Sequence, residues 1–507
     1  MTTKSVLLAV DAGTSTIKAV AFGVDGTEVA LAKRETSTYR PEPGHVEQDP
    51  DAVWDLTAAA LRDVTASLPA DAEPLGIGVT GQGDGLWAIG DGGDPVGNAV
   101  LWSDSRAAGI LEAWEDGEEL DAIVDQCGSA PYPGMSLPIL AWLAREEPAR
   151  FDRIDTVLSA KGWLKYKLTG ERTLDHTEAT VPYLDKTTER YDSGVFDVVG
   201  LPEARSLLPR LAAPTEVIGA VSGAAAEGTG VPRGVPVSSG VFDVPASAIG
   251  SGAVSAGGTA VTLGTSLTHQ TLVDGPQPEA SGIGMSLGTG GLWTYAIGSN
   301  AGTPSLEWAA GTLAGDVAVA DLEDLAASAP PGSDGVVYHP YLSTSGERGP
   351  FVDPDARGQF VGLTPEHGTE HLVRAVHEGL SLAVRDCVGH LPGEATEVVA
   401  SGGGTRSGLW CQLVADCLNR PVSIPAGSEP GAKGAAILLA VALEESPSLS
   451  AAVDRMVTID RRYEPREAAA DQYAALYDLF AEMRRELQPV WAERAAAFER
   501  SISGARE

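Results

Sequence analysis

Residues 6–18 read Val6-Leu-Leu-Ala-Val10 and then Asp11-Ala-Gly13-Thr14-Ser15-Thr16-Ile-Lys18. An apolar run that breaks at once into Gly, Thr and Ser has to end in a tight turn. The run is far too short for a membrane span and reads as a buried strand. Ile17, Ala19, Val20, Ala21 and Phe22 resume a strand, and Asp25-Gly26 turns again. The spacing predicts a strand–turn–strand hairpin whose tip can take a terminal phosphate. Gly13 lets the backbone approach an anion, and turn N–H groups form a concave nest for phosphate oxygens. Thr14, Ser15 and Thr16 add hydroxyl donors, Lys18 adds positive charge, and Asp11 can hold Mg²⁺ through its waters. The same residues also suit a plain polar turn, so the rest of the chain has to decide.

The theme recurs. Ala256 to Ser266 is an apolar strand that ends in Gly264-Thr265-Ser266. A phosphate-type hairpin opening each half suggests duplicated domains clasping one nucleotide. Glu397-Val-Val-Ala400 runs into Ser401-Gly402-Gly403-Gly404-Thr-Arg-Ser407, with a helix expected from Leu409 to Leu418. Glycines between a strand and a helix N-terminus suit nucleotide packing. The spacing is neither GxGxxG nor GxxxxGK[ST], and the HRD and DFG kinase set is missing. Leu75–Thr80 is a strand delivered into Gly81-Gln82-Gly83-Asp84, and Ala99–Trp102 leads into Ser103-Asp104-Ser105-Arg106. Both place polar groups just past a strand end, where α/β sheets bind ligands. Asp49 or Asp51 can cap a helix running to Leu68. Val235–Gly240 is strand-like and runs into Val-Phe-Asp243, before an Ala-rich helix over 244–250. Residues 466–500 form a long helix whose aromatics read as packing.

At 507 residues the chain is too long for one core, so two large domains are expected. A formal charge of −35 argues against nucleic acid and anionic membranes as partners, and an anionic substrate needs locally concentrated positive charge. No stretch reaches membrane length, and one early Lys before a short apolar run predicts no signal peptide. Four cysteines without CxxC spacing read as buried reduced thiols of a cytoplasmic protein. No Lys falls between Lys186 and Lys433. That surface suits a halophile or simply a GC-rich genome.

With these pieces in order, the sequence resembles the FGGY carbohydrate kinases, of the hexokinase–actin–Hsp70 superfamily, over nearly its whole length. Asp11-x-Gly-Thr-x-x-x-Lys18 is similar to that superfamily's first phosphate motif. Gly358-x-Phe360-x-Gly362-Leu363 followed by His371-Leu372-x-x-Ala375-Val376-His377-Glu378 is similar to one family signature, departing at His377. Gly134-x-Ser136-x-x-Ile139-Leu140-x-Trp142-Leu143 keeps part of the other, with Ile139 where Lys is usual. Gly402-Gly-Gly404-Thr-Arg-Ser407 with Trp410-x-Gln412-x-x-Ala415-Asp416 is similar to the adenosine segment.

The resemblance implies two ribonuclease-H-like α/β domains, 1–249 and 250–507, flanking a catalytic cleft for ATP, Mg²⁺ and a small sugar or polyol. Asp243 falls where the family carries its base. A sugar hydroxyl is a poor nucleophile, and a carboxylate can accept its proton during in-line attack on the γ-phosphorus. On its own, Asp243 also reads as a helix N-cap. For ATP and its phosphates the resemblance selects Asp11, Gly13, Thr14, Ser15, Thr16, Lys18, Gly264, Thr265, Gly403, Gly404 and Ser407, with Gly302 offset by one residue. Lys18 can instead brace the hairpin through a salt bridge.

For the sugar it selects Gln82, Gly83, Asp84, Trp102, Asp104, Arg106 and Asp243. Gln82-Gly83-Asp84 stands where glycerol kinases carry an Arg-Glu pair. Asp84 keeps the carboxylate, and Gly83 is expected to leave room for a substrate longer than glycerol. Trp102 can wall the sugar or fill the core, and Asp104–Arg106 can be a structural ion pair. The runs around Asp84 and Asp243 look most like L-xylulose and erythritol kinases, then D-xylulose kinases. His367 and His371, four apart, lack a completing ligand set and read as structural. Closure about 250–258 is expected to exclude water. A non-catalytic sugar-binding protein and a chaperone-type ATPase are the competing classes, and a homodimer stays open.

Overall fold

A computed structural model describes residues 4–504 except 193, 278–279 and 316. The first sheet is built from β1 (Lys4–Ala12), β2 (Thr16–Gly23), β3 (Glu28–Glu35), β4 (Ala72–Gly81), β5 (Val217–Ala220) and β6 (Pro236–Ser238), in the order β5-β6-β4-β1-β2-β3. Helix α1 (Pro50–Ala66) lies between β3 and β4, and α2 (Ala160–Thr169) between β4 and β6. The start of α1 follows from its sequence. The Asp49 carboxylate accepts from Asp51 N at 2.9 Å and Ala52 N at 3.3 Å, and Pro50 supplies the first turn's fixed φ. Helix α3 (Asp243–Ser251) leads out of this half.

The second sheet takes β7 (Gly258–Leu263), β8 (Leu267–Asp274), β9 (Ile283–Ser286), β10 (Leu292–Ser299), β11 (Glu397–Ser401), β12 (Val422–Pro425) and β13 (Ile459–Tyr463), in the order β9-β10-β8-β7-β11-β12-β13. Helix α4 (Thr369–His390) lies between β10 and β11, α5 (Gly408–Leu418) between β11 and β12, and α6 (Pro430–Ala442) after β12. Strand for strand, β13-β12-β11-β7-β8-β10 repeats β5-β6-β4-β1-β2-β3. In both, the hairpin pairs antiparallel and its first strand pairs parallel with the strand that follows the crossover helix. The outer pairings also keep their senses. The duplication read from two Gly-Thr-Ser turns is thus a duplication of whole sheets.

The uninterrupted run Val6–Val10 has a structural cause. Leu8 and Val10 pack into the core under α1 and α2, while Leu7 and Ala9 pack into a second core with Ala435, Leu438 and Leu439 of α6. A strand covered on both faces reads as continuous apolar residues. Helix α6, from the second half, therefore roofs the first sheet and crosses α3. A Cβ at Gly250 would lie 1.9 Å from Pro430 O, and one at Gly434 1.9 Å from Ala246 O. Only glycine permits this crossing. It brings the start of α3, which is Asp243, and the start of α6 to the end of β1.

Several expected elements differ. The 99–102 strand is reduced to a two-residue pairing, Ala99–Val100, so Trp102 sits in a loop. Residues 214–234, whose Gly, Ala and Pro content reads as a small strand-and-turn region, include a helix, Gly223–Thr229, capped by Ser222. The N-cap of α3 is Phe242, and Asp243 is its first residue without a capping side-chain bond, so the capping role considered for Asp243 is not the one it has. The terminal helix α7 (Glu467–Gly504) buries Tyr473, Phe480 and Trp491 against the second half.

Candidate active site

Asp11 and Lys18 face each other in the β1–β2 register. Lys18 Nζ lies 3.5 Å from Asp11 Oδ2 and 3.0 Å from Glu429 Oε2, and the other Glu429 oxygen takes Lys33 at 2.6 Å. Glu429 immediately precedes α6, so Lys18 ties the first hairpin to the second half through a salt bridge. Burial raises the Asp11 pKa; Lys18 opposes that rise and Glu429 reinforces it. At the tip, Gly13 N donates to Thr16 O at 3.1 Å, closing the turn. Ser15 is exposed, and the Ser15 and Thr16 hydroxyls have no partner among the described residues.

Thr14 behaves differently from its neighbours. Its hydroxyl donates to Gln82 Oε1 at 2.9 Å and accepts from Trp102 Nε1 at 2.9 Å. Gln82 donates to Gln48 Oε1 at 2.8 Å, and Gln48 returns to Thr14 O at 2.8 Å. The ring locks Gln82 and Trp102 onto the phosphate hairpin and occupies the one hydroxyl proton of Thr14. Among the described residues, the side-chain hydroxyls left unpaired at this tip are those of Ser15 and Thr16.

Asp243 stands in the same recess. Burial foremost, then the charges of Asp11 and Asp84, push its pKa up to about 8 against the backbone amide of Val244 and the charge of Lys18. Burial likewise pushes Asp84 up to about 6, opposed by the Tyr132 hydroxyl, which donates to Asp84 Oδ2 at 2.7 Å. Asp84 adopts φ 55° at the strand end. Tyr132 was missed by sequence reasoning although it lies two residues before Gly134 of the partial signature. Arg348 was missed as well. Its guanidinium sits 5.9 Å from the Trp102 ring centroid, it makes no ion pair among the described residues, and its charge reaches Tyr132. It comes from the second half, so the recess is lined from both.

Two expectations on this side need correction. A Cβ at Gly83 would lie 2.6 Å from the Phe242 ring. The missing side chain is filled by Phe242 rather than left as room, and any larger residue at 83 has to displace the residue next to Asp243. Asp104 and Arg106 satisfy each other: the Asp104 carboxylate takes Arg106 Nε and Nη2 at 2.9 Å each and Val46 N at 2.6 Å, and Arg106 also reaches Glu47 at 2.8 Å. Both side chains are enclosed, 0% and 1% exposed, and brace the loop that presents Trp102 instead of facing the recess.

At the second hairpin, Thr265 is exposed and its hydroxyl has no partner among the described residues. Gly302 packs on the Gly264–Thr265 tip: its Cβ would lie 2.4 Å from Thr265 O, and Thr303 N donates to Gly264 O at 2.8 Å. Of the glycines after β11, Gly404 is enclosed, since a Cβ there meets the Trp410 ring at 2.3 Å. Gly403 is the open one, with nothing nearer than an Arg406 nitrogen at 3.7 Å. Ser407 caps α5, accepting from Trp410 N at 3.0 Å. Of the paired histidines, His371 caps α4, its Nδ1 accepting from Gly368 N at 3.1 Å, and His367 closes the preceding turn, its Nδ1 accepting from Thr364 N at 2.9 Å.

The donor set fits a divalent cation. Asp11 and Asp243, once ionised, offer carboxylate oxygens whose mutual repulsion raises the Asp243 pKa, and Lys18 is the ammonium that faces Asp11 among the described residues. Hard cations take such carboxylate oxygens, directly or through water. Asp11 would hold the ion, and its charge would serve the transferring phosphoryl group.

Known proteins match this arrangement along the chain. Residues 6–250 match the N-terminal domain and 259–443 the C-terminal domain of the FGGY family of carbohydrate kinases. An erythritol kinase of Brucella abortus (strain 2308) is 32% identical over 97% of this chain and 98% of its own. The crystal structure of a xylulose kinase from Rhodospirillum rubrum superposes with TM-score 0.87 at 30% identity, covering 96% of this chain and 100% of that one. That of a gluconate kinase from Lactobacillus acidophilus superposes at TM-score 0.90 and 26% identity, covering 97% and 99%. The two family models together span most of the sequence, a relative is 32% identical along nearly its whole length, and this chain belongs to the FGGY family of carbohydrate kinases.

Proposed function

We propose that this sugar phosphotransferase moves the γ-phosphoryl group of ATP to a hydroxyl of a small open-chain sugar or polyol, a tetritol or pentulose such as erythritol or L-xylulose. The observation that carries the reading is Asp243: a recessed carboxylate with pKa about 8, beside Asp11 and Asp84, at the first residue of a helix whose cap position is Phe242. A base whose pKa lies near the working pH accepts a hydroxyl proton efficiently. Asp84 with Tyr132 offers an acceptor–donor pair to neighbouring hydroxyls, Gln82 and Trp102 frame them, and Arg348 lies across the opening. ATP is assigned to the Gly264–Thr265 tip, the open face of Gly403 and the Gly13–Thr16 turn, with Mg²⁺ at Asp11. In-line transfer needs mainly positioning and charge neutralisation, which such groups supply.

The halves 1–249 and 250–507 act as its two lobes, and buried free thiols suit a cytoplasmic setting. Relatives named xylulose kinase make D-xylulose the second candidate, and the unpaired Arg348 guanidinium puts gluconate on the panel too. The test is coupled ADP release with glycerol, erythritol, D- and L-xylulose, D- and L-ribulose, xylitol, arabitol and gluconate, at low and high salt. One tetritol or pentulose is expected to dominate, with Asp243→Asn lowering kcat about 10²–10⁴-fold. Saturable sugar binding without turnover would turn the reading to a non-catalytic protein, and ATP hydrolysis indifferent to sugar would turn it to an ATPase.

A further inference from the structure

Outside the recess the molecule buries a second ionic cluster. Lys161 and Lys165 of α2 and Asp175, on the strand that follows it, are each fully enclosed, and Glu178 nearly so. Buried charges are costly unless paired. Lys161 Nζ pairs with Asp175 Oδ2 and lies 3.3 Å from Glu178 Oε2. Glu178 also receives the Ser159 hydroxyl and Asp175 N, the latter at 3.2 Å. Lys165 Nζ has no hydrogen-bond partner among the described residues, and burial beside Lys161 pushes its pKa down to about 7.

This cluster does not stand alone. Lys161 Nζ also donates to Ser239 O and Gly240 O, each at 3.2 Å. Thr177, whose hydroxyl donates to Asp175 Oδ1 at 2.5 Å, accepts Phe242 N at 3.2 Å. Three further backbone groups of the segment are held: Ser239 N by Glu216 O, Gly240 N by Pro214 O and Val241 O by Thr80 Oγ1, at 2.8–2.9 Å. Residue 243 is next in the chain. Seven bonds therefore fix the four residues before Asp243, counting Ala246 N to Phe242 O, and three of them come from the buried cluster. An ion pair that served α2 alone would have no reason to spend its ammonium on two carbonyls 78 and 79 residues away.

We propose that Lys161 and Thr177, held by Asp175 and Glu178, are positioning residues that fix the backbone of 239–242 and thereby aim the Asp243 carboxylate and the Phe242 ring at the recess. This rests on Asp243 being the base. Misplacing a reacting group by about 1 Å costs about 10²-fold in rate, so loosening this segment lowers kcat without touching nucleotide contacts.

The test uses the full chain with ATP and the best sugar of the panel. Lys161→Met strands two buried carboxylates and is expected to lose folded protein, so Thr177 decides. Thr177→Val keeps shape and removes the hydroxyl: kcat is expected to fall about 10–100-fold with KM for ATP unchanged. Thr177→Ser, which keeps the hydroxyl, is expected to restore kcat. A Thr177→Val enzyme with wild-type kcat, or equal losses in both Thr177 variants, overturns the proposal while leaving the function standing. An Asp243→Asn enzyme that keeps its kcat overturns the function itself, and this proposal with it.

Discussion

The two halves carry the same sheet, yet their corresponding strand ends are chemically opposite. In the first hairpin the residues one step before the turn pair are Asp11 and Lys18; in the second they are Thr262 and Thr268, both neutral. The parallel neighbours match as well: Ala12 aligns with Gly81, and Thr262 with Ser401 just before Gly402. Beyond them, Gln82-Gly83-Asp84 in one half corresponds to Gly403-Gly404-Thr405 in the other. Gly83 and Gly404 do the same job, each abutting an aromatic ring, Phe242 and Trp410. Their neighbours do not. Gln82 and Asp84 present polar side chains that suit hydroxyls, and Gly403 presents none, leaving a bare surface for a flat ring. One scaffold is thus charged and polar at the strand ends proposed for phosphoryl transfer and bare at those proposed for the nucleotide.

The sharpest way to break this comparison is to make the hairpins alike. Asp11→Asn removes the carboxylate that would hold the cation and is expected to lower kcat about 10²–10³-fold. Thr262→Val, at the matching site, is expected to leave kcat near wild type. Equal losses in steady-state kinetics would mean that the two tips share the chemistry. One step along, Gln82→Ala opens the ring through Thr14, Trp102 and Gln48 and is expected to raise KM for the sugar about 10-fold, leaving KM for ATP alone. Gly403→Val is expected to do the reverse by filling the open face.

Protonation sharpens the contrast, because the raised carboxylates Asp11, Asp84 and Asp243 all face the first hairpin's side. The base must be ionised. With Asp243 near 8 in the free protein, kcat/KM for the sugar at low Mg²⁺ is expected to fall about tenfold per pH unit below that value. Raising Mg²⁺ should move this limb to lower pH, since a cation at Asp11 relieves the repulsion. Stability runs the other way. Asp243 binds a proton more tightly folded than unfolded, so its contribution is complete below its ordinary 3.8 and is lost as pH rises through about 8. Metal-free Asp243→Asn should therefore melt higher than wild type at about pH 8, an exchange of stability for function. An unchanged melting temperature would show that Asp243 is not held in a desolvated site.

Much of this was legible in the chain because it is local. A Gly-Thr-Ser turn between apolar runs announces a hairpin from a dozen residues, and each half repeats it. Asp243 was locatable by its place in a long motif order, though its N-cap reading missed by one residue, since Phe242 takes that position. What escaped is what the fold assembles from afar. Tyr132 meets Asp84 across 48 positions, and Arg348 reaches Trp102 from the other half. Gly83 was misread for the same reason. Its space is set by Phe242, 159 positions away, and no local pattern contains both. The Asp104–Arg106 pair could be read either way until Glu47 and Val46 N completed it.

The threonines at the two tips give the finest discrimination. Thr14 and Thr265 look interchangeable in sequence, each following the glycine of its turn. Thr14 has both a donor and an acceptor bond to the sugar-side ring, while Thr265 is exposed with its hydroxyl unspent. A single neutral hydrogen bond is worth about 0.5–1.5 kcal/mol, or roughly a 2- to 12-fold effect. Thr14→Val should thus act through Gln82 and Trp102, raising KM for the sugar severalfold. Thr265→Val should raise KM for ATP by a similar factor and spare the sugar. If both variants raise KM for ATP alone, the ring around Thr14 is not what orders the sugar side, and the two tips are as alike in use as they are in sequence.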